Sequence, residues 1–338
     1  MWTRHAWACA TKASGLQNAN KGAELKIAFL GTPAFAVPTL EKILESGHRV
    51  EAVITQPDRP KGRAQDLAES SVKQAATRLG LAVHQPERVR KPEVVEFLGG
   101  LRLDAMVVVG YGQIIPQSII DLVPLGIINV HASLLPKYRG AAPIQWAIAN
   151  GETITGLTTM RIDAGLDTGD MLLKWESAIG PEETAPELSD RLAIAGAELL
   201  VQTLEGLASG TIDPISQDHS QATLAPILKK EDGLIDWSWR AAKIHDRSRG
   251  FQPWPGLYSI FRTQQFQIWK CHTSAETTSA APGTLLPGKR SLAVACGDGS
   301  VLDLIEVQLE GRKRVAIDAF VNGQRLLDNE RFTGGSRL

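Results

Sequence analysis

The 338-residue sequence predicts an α/β protein in which a mostly parallel sheet carries helices on both faces and a smaller β-barrel or sandwich domain follows. Strands that are apolar along their whole length alternate with helical segments over the first part of the chain, which is typical of a parallel sheet. The last third of the chain has short segments in which apolar and polar residues alternate, separated by Gly and Pro turns. This pattern favours an all-β domain. The 43% of apolar and 22% of charged residues are those of a folded globular protein.

The first predicted domain spans residues 25–209. Residues 1–24 show no regular spacing of apolar residues, so we expect a disordered or targeting-like extension there. A buried strand at 25–30 ends in a Gly-Thr-Pro turn, and the helix at 34–46 ends at Gly47. The same alternation predicts strands at 50–55, 81–84, 104–109 and 126–131, helices at 70–79, 92–100 and 143–149, a hairpin at 156–162 and 171–175, and a long helix at 187–209.

A second domain is predicted at 230–338. Residues 210–229 combine Gly, Pro and small polar residues without a period, which indicates a linker. Residues 1–227 carry a net charge of −5 and residues 228–338 one of +4, although the total is only −1. A basic second part indicates an anionic partner. The predicted strands of this domain are 257–270, 283–286, 291–296 and 301–309.

Composition excludes several classes of protein. The three cysteines Cys9, Cys271 and Cys296 are widely spaced and form no CxxC pair, so neither a disulfide framework nor a structural zinc site is expected. No apolar run reaches the ~18 residues of a membrane helix. We therefore expect a cytoplasmic protein with no membrane partner and no metal, for which a monomer suffices.

The turn after the first strand is a weak candidate for a nucleotide site. Gly31-Thr32-Pro33 stands where a dinucleotide-binding fold would have GxGxxG, but only the first glycine is present. The sequence therefore gives little support to an oxidoreductase that uses a nicotinamide cofactor.

A stronger candidate site lies at the end of the predicted strand 126–131. Alternation places Asn129 and His131 on the same face of that strand. A loop with Pro and Gly follows, at the carboxyl edge where α/β sheets bind ligands. An amide and an imidazole are suitable donors to a carbonyl oxygen that becomes negative during a reaction. A structural histidine beside a turn asparagine is the alternative reading of this pair.

An acidic loop follows at 163–170. Its three aspartates lie among small residues, but no glutamate stands at the twelfth position, which excludes an EF-hand. One of these carboxylates, placed against His131, would orient the ring and stabilise its charged form.

Together these segments resemble the methionyl-tRNA formyltransferase family, whose members use formyltetrahydrofolate. The resemblance extends over about residues 25–335. The N-x-H (129–131), SLLP (133–136) and downstream Asp elements are common to the wider superfamily. The loop at 56–66, which contains PDRP and is the predicted tRNA-binding loop, and the tryptophan-rich second half select the tRNA enzymes. The matching segments are 29–40, 55–63, 107–116, 128–148, 163–171, 235–239 and 251–259.

The resemblance implies a Rossmann-like catalytic domain and an OB-like β-barrel that binds tRNA. It implies transfer of a formyl group from 10-formyltetrahydrofolate to the α-amine of methionyl initiator tRNA, with catalytic residues Asn129, His131 and Asp167. The implied folate-binding residues are Ser133, Leu134, Leu135, Pro136, Ile114 and Ile115. The implied tRNA-binding residues are Arg59, Lys61 and Arg63.

The presumed RNA face departs from the family pattern. The family often has lysines where this chain has Gln65, Asp66 and Ile227, so positive charge is lost there. Two other functions stay open: a superfamily member that formylates a nucleotide sugar or a ribonucleotide, and a non-catalytic RNA-binding protein. Other basic residues that could face RNA are Lys229, Lys230, Arg247, Arg249, Arg312, Lys313 and Arg314.

Overall fold

Alternating strands and helices form the first part of the computed structural model, which describes residues 24–61, 66–327 and 329–333. All but the last residue of the predicted extension 1–24 thus lies outside the described residues. The strands are β1 (Lys26–Gly31), β2 (Arg49–Ile54), β3 (Arg59–Lys61), β4 (Asp66–Ala68), β5 (Val83–His84), β6 (Ala105–Val109), β7 (Ile127–His131), β8 (Ile154–Arg161) and β9 (Met171–Ala178). The helices are α1 (Val37–Glu45), α2 (Ser71–Arg78), α3 (Pro92–Gly100), α4 (Gln117–Ile120), α5 (Pro143–Ala149) and α6 (Ala185–Ser209), and a 3₁₀ turn at Ala34–Ala36 precedes α1.

Seven of these strands form one sheet in the order β5-β2-β1-β6-β7-β8-β9. The first five are parallel, and β8 and β9 run antiparallel at one edge. Alternate residues of β1 fill two separate cores: Phe29 belongs to the core beneath α1 and α6, and Leu30 to the core beneath α3 and α4. Helices therefore cover both faces, which confirms the predicted mostly parallel sheet.

The end of the chain folds into an antiparallel sheet. Its strands are β10 (Leu257–Phe261), β11 (Gln264–Thr277), β12 (Leu285–Pro287), β13 (Leu292–Ala295), β14 (Ser300–Leu309) and β15 (Val315–Ala316), with helices α7 (Ala241–Gly250) and α8 (Ile317–Asn322). The order is β10-β11-β14-β13-β12, with β15 beside β14. The predicted strand 257–270 is in fact a hairpin, because Arg262 and Thr263 adopt positive φ and turn the chain between β10 and β11.

A short segment near the end of the described chain links the two edges of this sheet. Thr333 exchanges two backbone hydrogen bonds with Ile260 of β10, and Glu330 accepts one from Leu285 of β12. Such a link reduces the exposed edges of the sheet. The antiparallel domain is confirmed, and its likeness to an OB-fold stays a prediction.

Helix α6 is the one helix of the described residues long and apolar enough to cross a membrane. More than half of its most apolar window (56%) is buried inside the protein. Gly196 lets the helix approach Val130 of β7 and Leu157 of β8 closely. The apolar character of α6 is accounted for by its place in the core.

The two parts of the chain meet where α5 packs against α7. Trp146 of α5 and Phe251 contact edge to face, with ring centroids 5.2 Å apart. Arg247 lies over Trp146 of α5 as well as over Trp239 and Phe251, and the buried Arg249 donates to the carbonyls of residues 180 and 183. These two arginines, named above as candidates for the RNA face, are therefore used in packing between the domains.

Candidate active site

The centre of the candidate site is the side chain of His131, the last residue of β7. It is 5% exposed, and its Nε2 donates to the carbonyl oxygen of Tyr138 at 2.9 Å. Because a carbonyl only accepts, Nε2 carries the hydrogen and Nδ1 faces the other way. Nδ1 lies 3.7 Å from Oδ2 of Asp167, within ion-pair distance when the ring is protonated. The structure thus brings together two of the three residues predicted to be catalytic.

The Asp167 carboxylate is held in place by the backbone. Asp167 has φ of +51°, a left-handed conformation that aspartate tolerates better than most residues. Its Oδ2 accepts a hydrogen bond from the backbone N–H of Gly140 at 2.8 Å. Gly140 has φ of +121°, and a Cβ there would lie 2.6 Å from the carbonyl oxygen of Ala225, so only glycine fits.

Gln217 connects the acidic loop with the loop after β7. Its Nε2 donates to the carbonyl oxygens of Asp167 and Gly169 at 2.9 and 2.7 Å. Its Oε1 accepts from the buried guanidinium of Arg139 at 2.6 and 3.1 Å. Sequence reasoning missed Gln217, since it lies in the stretch 210–229 that was predicted to be a linker and no local pattern marks it. In the structure that stretch also pairs with Met171 through Ile215.

Tyr138 positions the histidine from the other side. Its φ of +60° is unusual for a tyrosine, and its carbonyl accepts from His131. Its hydroxyl donates to Glu152 at 2.8 Å. Burial raises the pKa of Tyr138 to about 12, so the hydroxyl stays a donor at neutral pH.

Asn129, the third residue predicted to be catalytic, lies in the middle of β7. It is half-buried, opposite Val108 of β6 and Met160 of β8. Its position two residues before His131 places it on the same face of the strand. Its role as a donor to a reacting oxygen stays a prediction.

The segment predicted to contact folate divides into inward and outward residues. Ser133 is fully buried and donates to the carbonyl of Lys137 at 2.6 Å, and Leu135 packs with two methionines in a small core. Leu134 and Pro136 are only half-buried. Of these four residues, Leu134 and Pro136 have the side chains available to a ligand, while the other two fix the loop.

The loop after β6 divides in the same way. Ile114 is 87% exposed, whereas Ile115 is 5% exposed and belongs to the core beneath α3 and α4. Because β6 and β7 are parallel neighbours, this loop and the loop after β7 lie at the same edge of the sheet. Ile114 is therefore the residue of the two that can contact a ligand there.

The predicted tRNA-binding loop is partly a hairpin formed by β3 and β4. Arg59 at its start is exposed, whereas the side chain of Lys61 and all of Arg63 lie outside the described residues. Asp58 at its base accepts hydrogen bonds from Lys73 and Gln85, and the bond from Lys73 lowers the pKa of that carboxyl. The base of the hairpin is thus fastened to the catalytic domain.

The other two aspartates of the acidic loop have structural partners. Asp163 accepts from the N–H of Gly165 and from the Thr168 hydroxyl, and Asp170 accepts from Ser216. These contacts shape the loop and leave Asp167 as the aspartate that faces the histidine. Among the described residues of this loop, the geometry thus singles out one carboxylate.

Two protein-family models match this chain, one for each of its two domains. The family described as formyl transferase matches residues 25–204, and its C-terminal domain matches residues 227–325. A methionyl-tRNA formyltransferase of Solibacter usitatus is 64% identical over 92% of this chain and 99% of its own length. One of Koribacter versatilis is 56% identical over 88% of this chain and 96% of its own length.

Solved structures share the fold at low identity. An N-formyltransferase from Helicobacter canadensis, in complex with folinic acid and dTDP-3-aminofucose, has a TM-score of 0.63 and 19% identity over 83% of this chain and 98% of its own. HypX from Aquifex aeolicus, in complex with tetrahydrofolic acid, has a TM-score of 0.59 and 16% identity over 93% of this chain and 51% of its own. The fold, the matched domains and the close relatives agree: this chain belongs to the formyltransferase family, as one of the methionyl-tRNA formyltransferases.

Proposed function

We propose that this protein transfers the formyl group of 10-formyltetrahydrofolate to the α-amine of methionyl initiator tRNA. The observation that carries the proposal is the pairing of the buried His131 with Asp167 at the carboxyl end of β7. The methionyl-tRNA formyltransferases that are similar over nearly the whole chain support tRNA as the acceptor.

The proposed chemistry begins when the amine attacks the formyl carbon and negative charge develops on the formyl oxygen. Asn129 and Nδ1–H of protonated His131 donate hydrogen bonds to that oxygen, since Nε2–H is already bonded to the Tyr138 carbonyl, and the Asp167 carboxylate stabilises the imidazolium. The nitrogen that gains the formyl group loses a proton, and the folate nitrogen that leaves gains one. Asp167, whose side chain is 17% exposed, is the base within reach of this transfer.

The loops at this edge of the sheet suit a flat aromatic donor. Ile114 offers an exposed apolar surface, and Leu134 and Pro136 are half-buried on the neighbouring loop. Pockets that bind such ligands are mostly apolar with a few fixed polar groups. The folate-bound structures with the same fold are in keeping with this assignment.

The acceptor tRNA is proposed to approach over the β3–β4 hairpin and the C-terminal domain. Arg59 of the hairpin is exposed, as are the basic residues Lys229, Lys230, Arg312 and Lys313. Such residues supply the sequence-independent attraction to phosphates. We also propose that the protein acts in the cytoplasm as a monomer that holds both substrates at the same time.

One assay tests the proposal. The purified protein is incubated with 10-formyltetrahydrofolate and with methionyl initiator tRNA, methionyl elongator tRNA or a dTDP-amino sugar, and blocked amines are measured. We expect rapid formylation of the initiator tRNA alone. Formylation of the amino sugar instead would identify a sugar formyltransferase, and binding of tRNA without formylation of any acceptor would identify an RNA-binding protein.

A further inference from the structure

Three side chains that bind metals well meet at the boundary between the two domains. Glu182 lies between β9 and α6 of the catalytic domain, whereas His245 on α7 and His272 on β11 belong to the C-terminal domain. Oε2 of Glu182 is 3.4 Å from Nε2 of His245 and 3.2 Å from Nδ1 of His272. The three potential ligand atoms all lie within 4.8 Å of one another.

This spacing suits a tetrahedral ion. Zinc binds His nitrogen and Glu oxygen at about 2.0–2.2 Å, which puts neighbouring ligand atoms about 3.3–3.5 Å apart. Both distances from the Glu182 oxygen are close to that value. The side chains of Glu182 and His272 are 60% and 40% exposed, so each can adjust to an ion, while the buried His245 is fixed.

The surroundings also favour a dication. The neighbouring charges of Asp246 and Arg249 pair with each other at 2.6 Å. Glu182 then remains the charged ligand, and its loop is anchored because Arg249 donates to the carbonyls of Gly180 and Glu183.

We propose that Glu182, His245 and His272 form a Zn²⁺ site that links the catalytic domain to the C-terminal domain. Two imidazoles and one carboxylate are a ligand set that zinc prefers, and water completes the fourth position. The ion contributes no step to formyl transfer. It holds the two domains in one arrangement, because its ligands come from both.

Zinc binding to the full-length protein tests this site directly. After treatment with a chelator, the protein is titrated with Zn²⁺ against a chromophoric competitor. We expect one ion per chain. We expect Glu182→Gln and His272→Ala each to weaken Zn²⁺ binding at least about tenfold, because substitution of a residue that only hydrogen-bonds to a metal ligand already lowers metal affinity by that factor. Glu276→Gln is the matched control, because Glu276 is an exposed acid on the same strand as His272.

A second measurement follows the thermal midpoint of unfolding. Excess Zn²⁺ should raise it in the wild type and in Glu276→Gln but not in the two ligand variants, because an ion stabilises only the state that binds it. If zinc does not bind, or binds equally to all four proteins, Glu182 only bridges two imidazoles by ordinary polar contacts and the proposal is wrong. Neither readout requires formylation, so the proposed function is tested separately.

Discussion

The backbone N–H of Gly140 donates to the same carboxylate oxygen of Asp167 that faces His131. The hydrogen bond of 2.8 Å fixes this oxygen, and His131 Nδ1 lies 3.7 Å from it. The negative charge therefore belongs to Asp167 itself, whereas the position of its carboxylate oxygen depends on Gly140. They can be changed separately by substitution, which gives the first two predictions.

Asp167→Asn should remove the charge while keeping the position. An amide oxygen still accepts from Gly140, and asparagine tolerates the left-handed backbone at this residue. It cannot stabilise an imidazolium or take up a proton, so we expect kcat to fall by about 10²–10⁴ with little change in tRNA affinity. Single-turnover formylation and tRNA binding measure the two effects. Asp163→Asn in the same loop should keep nearly normal kcat; an equal loss in both variants would contradict the role of Asp167.

Gly140→Ala should disturb the position while keeping the charge. The added Cβ would lie 2.6 Å from the carbonyl oxygen of Ala225, at a φ that alanine rarely adopts. We expect the free energy of unfolding to fall by about 1–3 kcal/mol and kcat to fall with it. Gly100→Ala is the control, because nothing lies within 4 Å of that position and it should be neutral or slightly stabilising. Urea unfolding and initial rates check both, and equal stability of the two variants would contradict the clash.

Gln217→Ala should destabilise the acidic loop. The change leaves the carbonyls of Asp167 and Gly169 without their shared donor, and it leaves Nε of the buried Arg139 without its acceptor, although Nη2 keeps its contact with His219. We expect the free energy of unfolding to fall by about 1–3 kcal/mol, the cost of unsatisfied buried groups. Ser216→Ala is the control, since its hydroxyl makes an exposed contact with Asp170 only. A Gln217 variant as stable as this control would show that the network is dispensable.

Much of the fold was predictable because each signal is local. The apolar run of β6 and the helix at 143–149 follow from neighbouring residues alone, and the structure has them where periodicity predicts. The hairpin within 257–270 was missed because its turn has no glycine: Arg262 and Thr263 themselves take positive φ. Sequence patterns assign such conformations to Gly or Asn.

The candidate site was predictable where one strand or one motif carries it, and not where distant segments meet. Asn129 and His131 share a strand, so alternation relates them. Gln217 reaches the site from the predicted linker, and its four hydrogen bonds depend on the tertiary fold. The same holds for Glu182, His245 and His272, which lie on separate elements and share no spacing motif. The sequence therefore predicted no metal.

Stability should depend on pH through His48. It is buried, and its Nε2 has no partner among the described residues. Desolvation lowers its pKa below the ordinary 6.5, against smaller opposing effects of Glu205 and Glu24. Above pH 6.5 the ring is neutral in both states; as pH falls below 6.5 the unfolded chain binds the proton more readily, so the free energy of unfolding decreases.

His48→Leu removes this titration and keeps an apolar group in the site. Relative to the wild type, the variant should gain stability as the pH is lowered from 8 to about 5.5, the range in which the unfolded imidazole becomes protonated. Urea unfolding of both proteins at the two pH values gives the difference. If that difference is the same at both pH values, His48 is not buried as a neutral ring.

Arg59→Ala should weaken tRNA binding through electrostatics alone. Arg59 is exposed on the hairpin after the carboxyl end of β2, where it can approach a phosphate. Loss of one such contact should raise the KM for tRNA at low salt. It should also reduce the steepness of the plot of log affinity against log salt concentration by about 1. The difference in KM between the variant and the wild type should therefore shrink as salt is added. Arg63→Ala, also in the predicted loop, should behave alike.

Arg49→Ala is the control, since this exposed arginine begins β2 at the opposite edge of the sheet. Equal salt slopes for the wild type and for these two variants would exclude the predicted loop from the tRNA-binding surface.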